Sequence, residues 1–422
     1  MIKKIPIAQL RVGMHVHRLD GAWLDHPFWK HKFRLEDPAD LALLRNSKVS
    51  ACWIDTERGV DVAAPQEPLA SPRLDARTVA PARPPAPVLQ PGPQALAPAT
   101  RTFDEEMTQA AAVCQRGRVA VMAMLSEARM GRPVDAESCL PLVEEISSSV
   151  MRNPGALVSL ARLKTKDDYS YMHSMAVCAL MVLLGRQLGF DAAGCRSAGL
   201  AGLLHDIGKV SIPLEILNKP DKLSPEEYVV ISTHPVRGHE MLLEARGVDA
   251  LVLDVCLHHH ERPDGRGYPH ALSGDQLSLQ ARMGSLCDVY DAITSNRPYK
   301  VGWDPAESIA RMASWKGQFD PVLFQAFVKS LGIYPTGSLV RLESQQLAVV
   351  VEQNPLQLAA PVVKVFFSVA TEMRVSPRSI DLARPGCADR IVGREALSNW
   401  GFQNLDELWL GSEARQRSRA AA

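Results

Sequence analysis

The 422-residue sequence contains no CxxC pair: its eight cysteines, at positions 52, 114, 139, 178, 195, 256, 287 and 387, are scattered. That spacing excludes a small secreted disulfide framework and fits reduced thiols in a cytoplasm. Net charge is also lacking, because Lys plus Arg and Asp plus Glu are 47 each. No long-range field therefore calls for DNA, RNA or an anionic membrane, and any anion has to be bound locally. Long apolar runs are missing too. The longest, MAVCALMVLLG at 175–185, falls well short of the ~20 residues that span a bilayer. The basic start MIKKIPIAQLRVGMHV lacks the apolar centre of a signal peptide. With no internal repeat and no receiver-like or membrane sensor segment, the expectation is a cytoplasmic protein whose input signal the sequence does not name.

What is present divides into four stretches. Residues 1–63 mix short apolar runs with breakers and predict a small α+β module with one short helix at 38–46. Residues 64–100 hold ten of the thirty prolines and few branched or aromatic side chains, a composition that cannot offset its ordering entropy and so predicts a flexible linker. From 101 to 333 the periodicity is helical. Asp104, Glu105 and Glu106 suit a helix N-terminus, and SYMHSMAVCALMVLLGRQLGF and AAGCRSAGLAGLLHDIGK are apolar nearly all round, as buried helices are. This predicts an all-α domain. From 334 to 422, GSLVRLE, LAVVVEQ and PVVKVFFSVA alternate β-branched residues between turns, predicting a short antiparallel sheet, followed by a polar, basic tail.

Chemistry concentrates in the helical region. His205 and Asp206 close a buried apolar run, where an imidazole and a carboxylate are costly unless paired or bound to a metal. His173 lies one helix earlier, His234 follows in STHP, and HHHERPDGRGYP at 258–269 supplies three consecutive histidines. Asp288 and Asp291 complete the set in CDVYDAITS. Nitrogen and oxygen donors without thiolate suit iron, manganese or zinc. An aspartate shared by two cations ~3.5–4 Å apart is the arrangement that activates water against a phosphodiester.

HDIGK, THPVRGHEML, HHERPDGRGYP and DVYDAITSNRPYK, in that order over about 173–300, resemble the HD-GYP branch of the HD-domain metal-dependent phosphohydrolases. The N-terminal IPIAQLRVGMHVHRLDGAWLDHPFW resembles an accessory module of unknown function that often precedes such domains. The resemblance implies two divalent ions, iron or manganese, held by His173, His205, Asp206, His234, His259, His260 and Asp288, with Asp206 bridging and catalytic. It implies that Lys209 stabilises developing charge and that Arg297 and Lys300 grip the substrate phosphates. His258 is then the extra histidine, with at most an orienting hydrogen bond to a ligand, and Cys256 stands outside the donor set. In some members a glutamate one turn before the early histidine holds a third metal; here that residue is Tyr169, so two ions are expected.

The activity implied is hydrolysis of cyclic di-GMP to linear pGpG or GMP, lowering a second messenger in bacterial signalling. The alternatives are a non-catalytic cyclic di-GMP receptor or a hydrolase of another cyclic nucleotide. DGRGYP either shapes the pocket or also contacts partners carrying diguanylate cyclase domains, and the flanking amphipathic helices leave room for a homodimer.

Overall fold

The computed structural model describes residues 2–19, 33–35, 38–45, 51–60, 103–163, 169–219, 221–295, 302–402 and 404–410. The expected linker, the basic tail, Arg297 and Lys300 lie outside these residues. The chain forms two compact units, Met1–Gln90 and Pro91–Ala422.

In the first unit, β1 (Ile2–Pro6), β2 (His15–Leu19), β3 (Phe33–Arg34) and β4 (Ala51–Asp55) make an antiparallel sheet in the order β1-β4-β2-β3, joined by helix α1 (Pro38–Arg45). One apolar face closes the core, with Ile5, Leu10, Met14, Val16, Leu35, Leu44, Cys52 and Ile54 buried together. Arg45 ties the end of α1 to the Leu10 carbonyl at 2.9 Å. The small α+β module expected from the sequence is what forms.

The second unit is mainly helical. Its helices are α2 (Phe103–Arg129), α3 (Leu140–Arg152), α4 (Pro154–Arg162), α5 (Tyr169–Gln187), α6 (Ala192–Leu204), α7 (Leu214–Leu217), α8 (Pro225–Ile231), α9 (His234–Leu243), α10 (Ala250–His258), α11 (Leu279–Thr294), α12 (Pro305–Met312) and α13 (Pro321–Leu331). The two all-round apolar segments become α5 and α6, packed side by side and buried from Tyr171 to Leu184 and from Ala198 to Leu204. None of the described helices is long and apolar enough to cross a membrane. Glu106 sits in the first turn of α2, as the sequence predicts, and turns inward. It is fully buried, accepts hydrogen bonds from Ser149 at 2.8 Å and Arg152 at 2.6 Å, and so pins α2 to α3.

Beyond α13, five antiparallel strands follow: β5 (Leu339–Leu342), β6 (Gln346–Glu352), β7 (Val362–Ser368), β8 (Met373–Asp381) and β9 (Ile391–Arg394), in the order β8-β7-β6-β5-β9. Val340, Leu342, Ala348, Val350, Val363 and Val365 form the core of this sheet. Asp304 fastens the sheet to the helices. One carboxylate oxygen accepts from the Ala306 and Glu307 amides at the start of α12, and the other accepts from the Leu339 amide of β5 at 3.0 Å.

Candidate metal centre

Five segments converge at Asp206. α5 brings His173, the end of α6 brings His205 and Asp206 itself, α9 opens with His234, α10 runs out into His259 and His260, and α11 carries Asp288. Each is placed by local chemistry. Side-chain caps start α6 (Asp191 to the Gly194 amide), α10 (Asp249 to the Val252 amide) and α11 (Ser278 to the Ala281 amide), fixing the helix registers. The HDIGK turn is pressed against α9 so closely that a Cβ on Gly208 would lie 2.0 Å from the His234 carbonyl oxygen. Only glycine permits that approach, and it brings His234 within reach of Asp206.

The donor atoms face one another. From Asp206, one carboxylate oxygen is 3.3 Å from both His173 Nε2 and His205 Nε2, and the other is 3.1 Å from His234 Nε2 and 3.6 Å from His259 Nε2. Two groups of possible ligands therefore share Asp206: His173 with His205, and His234 with His259 and His260. Asp288 adds a carboxylate 3.1 Å from His173 Nε2 and 3.9 Å from His205 Nε2, with its other oxygen 3.9 Å from His260 Nδ1.

The outer ring nitrogens show what the inner ones are for. His205 Nδ1 pairs with the Gly202 carbonyl at 2.8 Å, His234 Nδ1 with the Ile231 carbonyl at 2.7 Å, and His259 Nδ1 with the Cys256 carbonyl at 3.0 Å. A carbonyl only accepts, so each Nδ1 carries a proton, and in the neutral ring that a metal ligand requires each Nε2 presents a lone pair to the centre. The lone pairs of His234 and His259 then oppose each other at 3.3 Å. His205 Nε2 and Asp206 Oδ1 are buried with no hydrogen-bond partner. Lone pairs turned toward one another in a buried site need a cation, and the residues fit divalent metal ions.

Charge follows the same logic. Burial opposes ionisation of Asp206, but His205 and Lys209 beside it hold the carboxyl well below the usual carboxylate range. Asp288 is held down likewise, mainly by its hydrogen bond to His173. Burial works against a charged His173 as well; hydrogen bonds to Asp206, Asp288 and Asp291 prevail and raise it to about 10. Burial pushes His260 well below the ordinary histidine value and lowers His234. The Lys209 ammonium pairs with Asp206 at the solvent side of the cluster.

The segment HHHERPDGRGYP is now accounted for residue by residue. His259 points inward; His258 turns away, to Asp254 at 2.8 Å and His270 at 3.3 Å, and orients none of the ligands. Glu261 is fully buried and accepts the backbone amides of His270 at 2.6 Å and Leu272 at 3.1 Å, so this carboxylate holds the loop. A Cβ on Gly267 would meet the Glu261 Cα at 2.4 Å, which is why the chain can fold back there. That return places Tyr268 flat against His260, ring centroids 4.7 Å apart, as one wall of the centre. Burial pushes the Cys256 thiol up, and the residue serves as packing against Gly238.

Asp291, grouped with Asp288 in the sequence but given no role there, stands directly behind His173. It is buried, and its carboxylate lies 2.6 Å from His173 Nδ1 and accepts from Ser295. Its spacing, three residues after Asp288, puts both on one face of α11 and was the available signal. The Tyr169 side chain lies outside the described residues.

Comparison with known proteins agrees with this architecture. Residues 151–323 match the HD domain, and residues 2–139 match a domain of unknown function, DUF3391. A cyclic di-GMP phosphodiesterase of Pseudomonas aeruginosa is 54% identical over 412 residues, 97% of this chain and 96% of the relative. A cyclic di-GMP phosphodiesterase response regulator of Xanthomonas campestris is 39% identical over 35% of this chain and 39% of its own length. The 3'3'-cGAMP-specific phosphodiesterase 1 of Vibrio cholerae is 33% identical over 44% of this chain and 42% of its own length. The chain belongs to the HD-GYP branch of the HD-domain phosphohydrolases.

Proposed function

We propose that this protein is a metal-dependent phosphodiesterase that opens cyclic di-GMP to linear pGpG or GMP. The observation that carries the reading is the convergence of inward-facing imidazole lone pairs and two carboxylates on Asp206, with His205 Nε2 and Asp206 Oδ1 buried and unpartnered. The relative matched across nearly the whole chain is named for cyclic di-GMP, whereas the relative named for cGAMP matches less than half of it.

We assign two divalent ions, His173, His205 and Asp288 holding one, His234, His259 and His260 the other, and Asp206 both. The nitrogen and oxygen donors favour iron or manganese. Bound there, such cations supply an activated water and neutralise charge on the scissile phosphate. The chain's own residues do the remaining work. Asp206 orders the donors into two sets. Lys209, fixed beside Asp206 on the solvent side, stabilises negative charge that develops on the phosphate. Tyr268 and the loop behind it exclude water from one flank, and Arg297 and Lys300 hold the outer phosphate oxygens.

Product chromatography tests the reading. Iron- or manganese-loaded protein incubated with cyclic di-GMP yields pGpG or GMP, and the His205→Ala/Asp206→Ala double variant yields neither. Intact substrate with the wild type under both metals would overturn it.

A further inference from the structure

An aromatic ladder leads outward from the centre. His260 stacks on Tyr268, and Tyr268 meets Tyr228 of α8 edge to face, with ring centroids 6.2 Å apart. The first two rings are half-buried, whereas Tyr228 is 54% exposed.

α8 is built to hold that ring in place. Ser224 and Glu227 form a reciprocal cap at its start, and Lys219 clamps Glu227 at 2.6 Å. At its end, the Ser232 hydroxyl donates to the Tyr228 carbonyl at 2.7 Å. The next residue but one is His234. Tyr228 is thus tied to the metal cluster by the short run of chain to His234 and by its ring contact with Tyr268.

We infer that the Tyr228 ring is the stacking platform for a purine base of the substrate while the adjoining phosphate sits at the metals, an inference that rests on the phosphodiesterase reading and extends it to base recognition. A base presents a flat π face in every nucleotide, and an aromatic ring next to a phosphate site is the standard way to hold one without reading its edge. The ladder leads from a proposed ligand to solvent in three rings. Stacking is tolerant of base identity, so Tyr228 contributes affinity for guanine and adenine alike and leaves discrimination between them to other groups.

The test measures KM, kcat and the dissociation constant for cyclic di-GMP with the manganese-loaded full chain. Tyr228→Ala raises KM and Kd about tenfold, within the range of base–aromatic stacking, with kcat and metal content near wild type. Tyr228→Trp restores both, and the Tyr228→Ala effect is equal for a cyclic GMP-AMP substrate. Val229→Ala, an exposed neighbour on the same helix, changes nothing. An unchanged KM and Kd in Tyr228→Ala, or a loss that Tyr228→Trp fails to rescue, overturns the stacking role. Should the wild type bind cyclic di-GMP without hydrolysing it, the catalytic reading falls, and the Kd of Tyr228→Ala still decides this one.

Discussion

His173 Nδ1 lies 2.6 Å from the Asp291 carboxylate, while the other nitrogen of the same ring faces Asp206 and Asp288 at 3.3 and 3.1 Å. The imidazole is strung between a carboxylate that fixes its orientation and two that share its working atom. A buried carboxylate behind a ligating histidine sets both ring angle and tautomer, and its loss commonly weakens metal binding or activity by about 10–100-fold. Asp291→Asn keeps the shape and removes the charge. Its expected outcome is metal affinity lowered by about tenfold or more, with helicity unchanged. Metal titration alongside circular dichroism reads both, and wild-type affinity would show that Asp291 is only a packing residue.

The Glu261 carboxylate is spent on two backbone amides of the loop that carries Tyr268. Charge-assisted hydrogen bonds of this kind contribute about 1.5–3 kcal/mol each, and a buried amide left unpaired adds a further cost. Glu261→Ala should lower the unfolding free energy by roughly 2–5 kcal/mol in urea titrations. It should also raise KM, because Tyr268 loses its support. A variant as stable as wild type would mean that other contacts hold the loop.

Much of this arrangement was legible in the sequence because ligand chemistry leaves short, dense signatures: HDIGK, THP and HHE each place a candidate donor at a helix end, and DVYD places one within α11. The helical region and three of the five C-terminal strands were legible from their apolar patterning. β8 was not, since MRVSPRSID is an edge strand with mostly exposed side chains and so shows no alternation, and Pro377 is tolerated there because an edge has a free side. The inward turn of Glu106 was not legible because its partners Ser149 and Arg152 are more than forty positions away, and no local pattern records them. The fold of Glu261 back onto its own loop was hidden for a related reason: backbone amides carry no sequence signal.

Asp304 binds two elements with one side chain, capping α12 through one oxygen and holding β5 through the other. Asp304→Asn retains an acceptor for the cap but turns an amide toward the Leu339 N–H or loses that contact. Asp304→Ala loses both. The expected order of stability is wild type, then Asn, then Ala, with the alanine variant down by about 2–4 kcal/mol, a cap plus a buried charged hydrogen bond. Equal stability of the two variants in denaturant titrations would show that the tie to β5 contributes little.

Cys52 gives the N-terminal unit a pH dependence whose sign follows from its burial. The thiol lies among Ile5, Val16 and Ile54 in the core of the sheet, and burial pushes it from 9.0 to about 11. Because the folded value is the higher one, this contribution to stability is fully present below pH 9. It is lost as pH rises through about 11, where the unfolded chain gains by ionising first. The total effect is about 3 kcal/mol, confined to that window. Iodoacetamide labelling read by peptide mass spectrometry measures it directly, since Cys52 reacts only when the unit opens and the half-buried Cys387 reports the chemistry of a more accessible thiol. Cys52 labelling should climb relative to Cys387 between pH 9 and 11; a constant ratio would mean that the thiol does not couple to opening of the sheet.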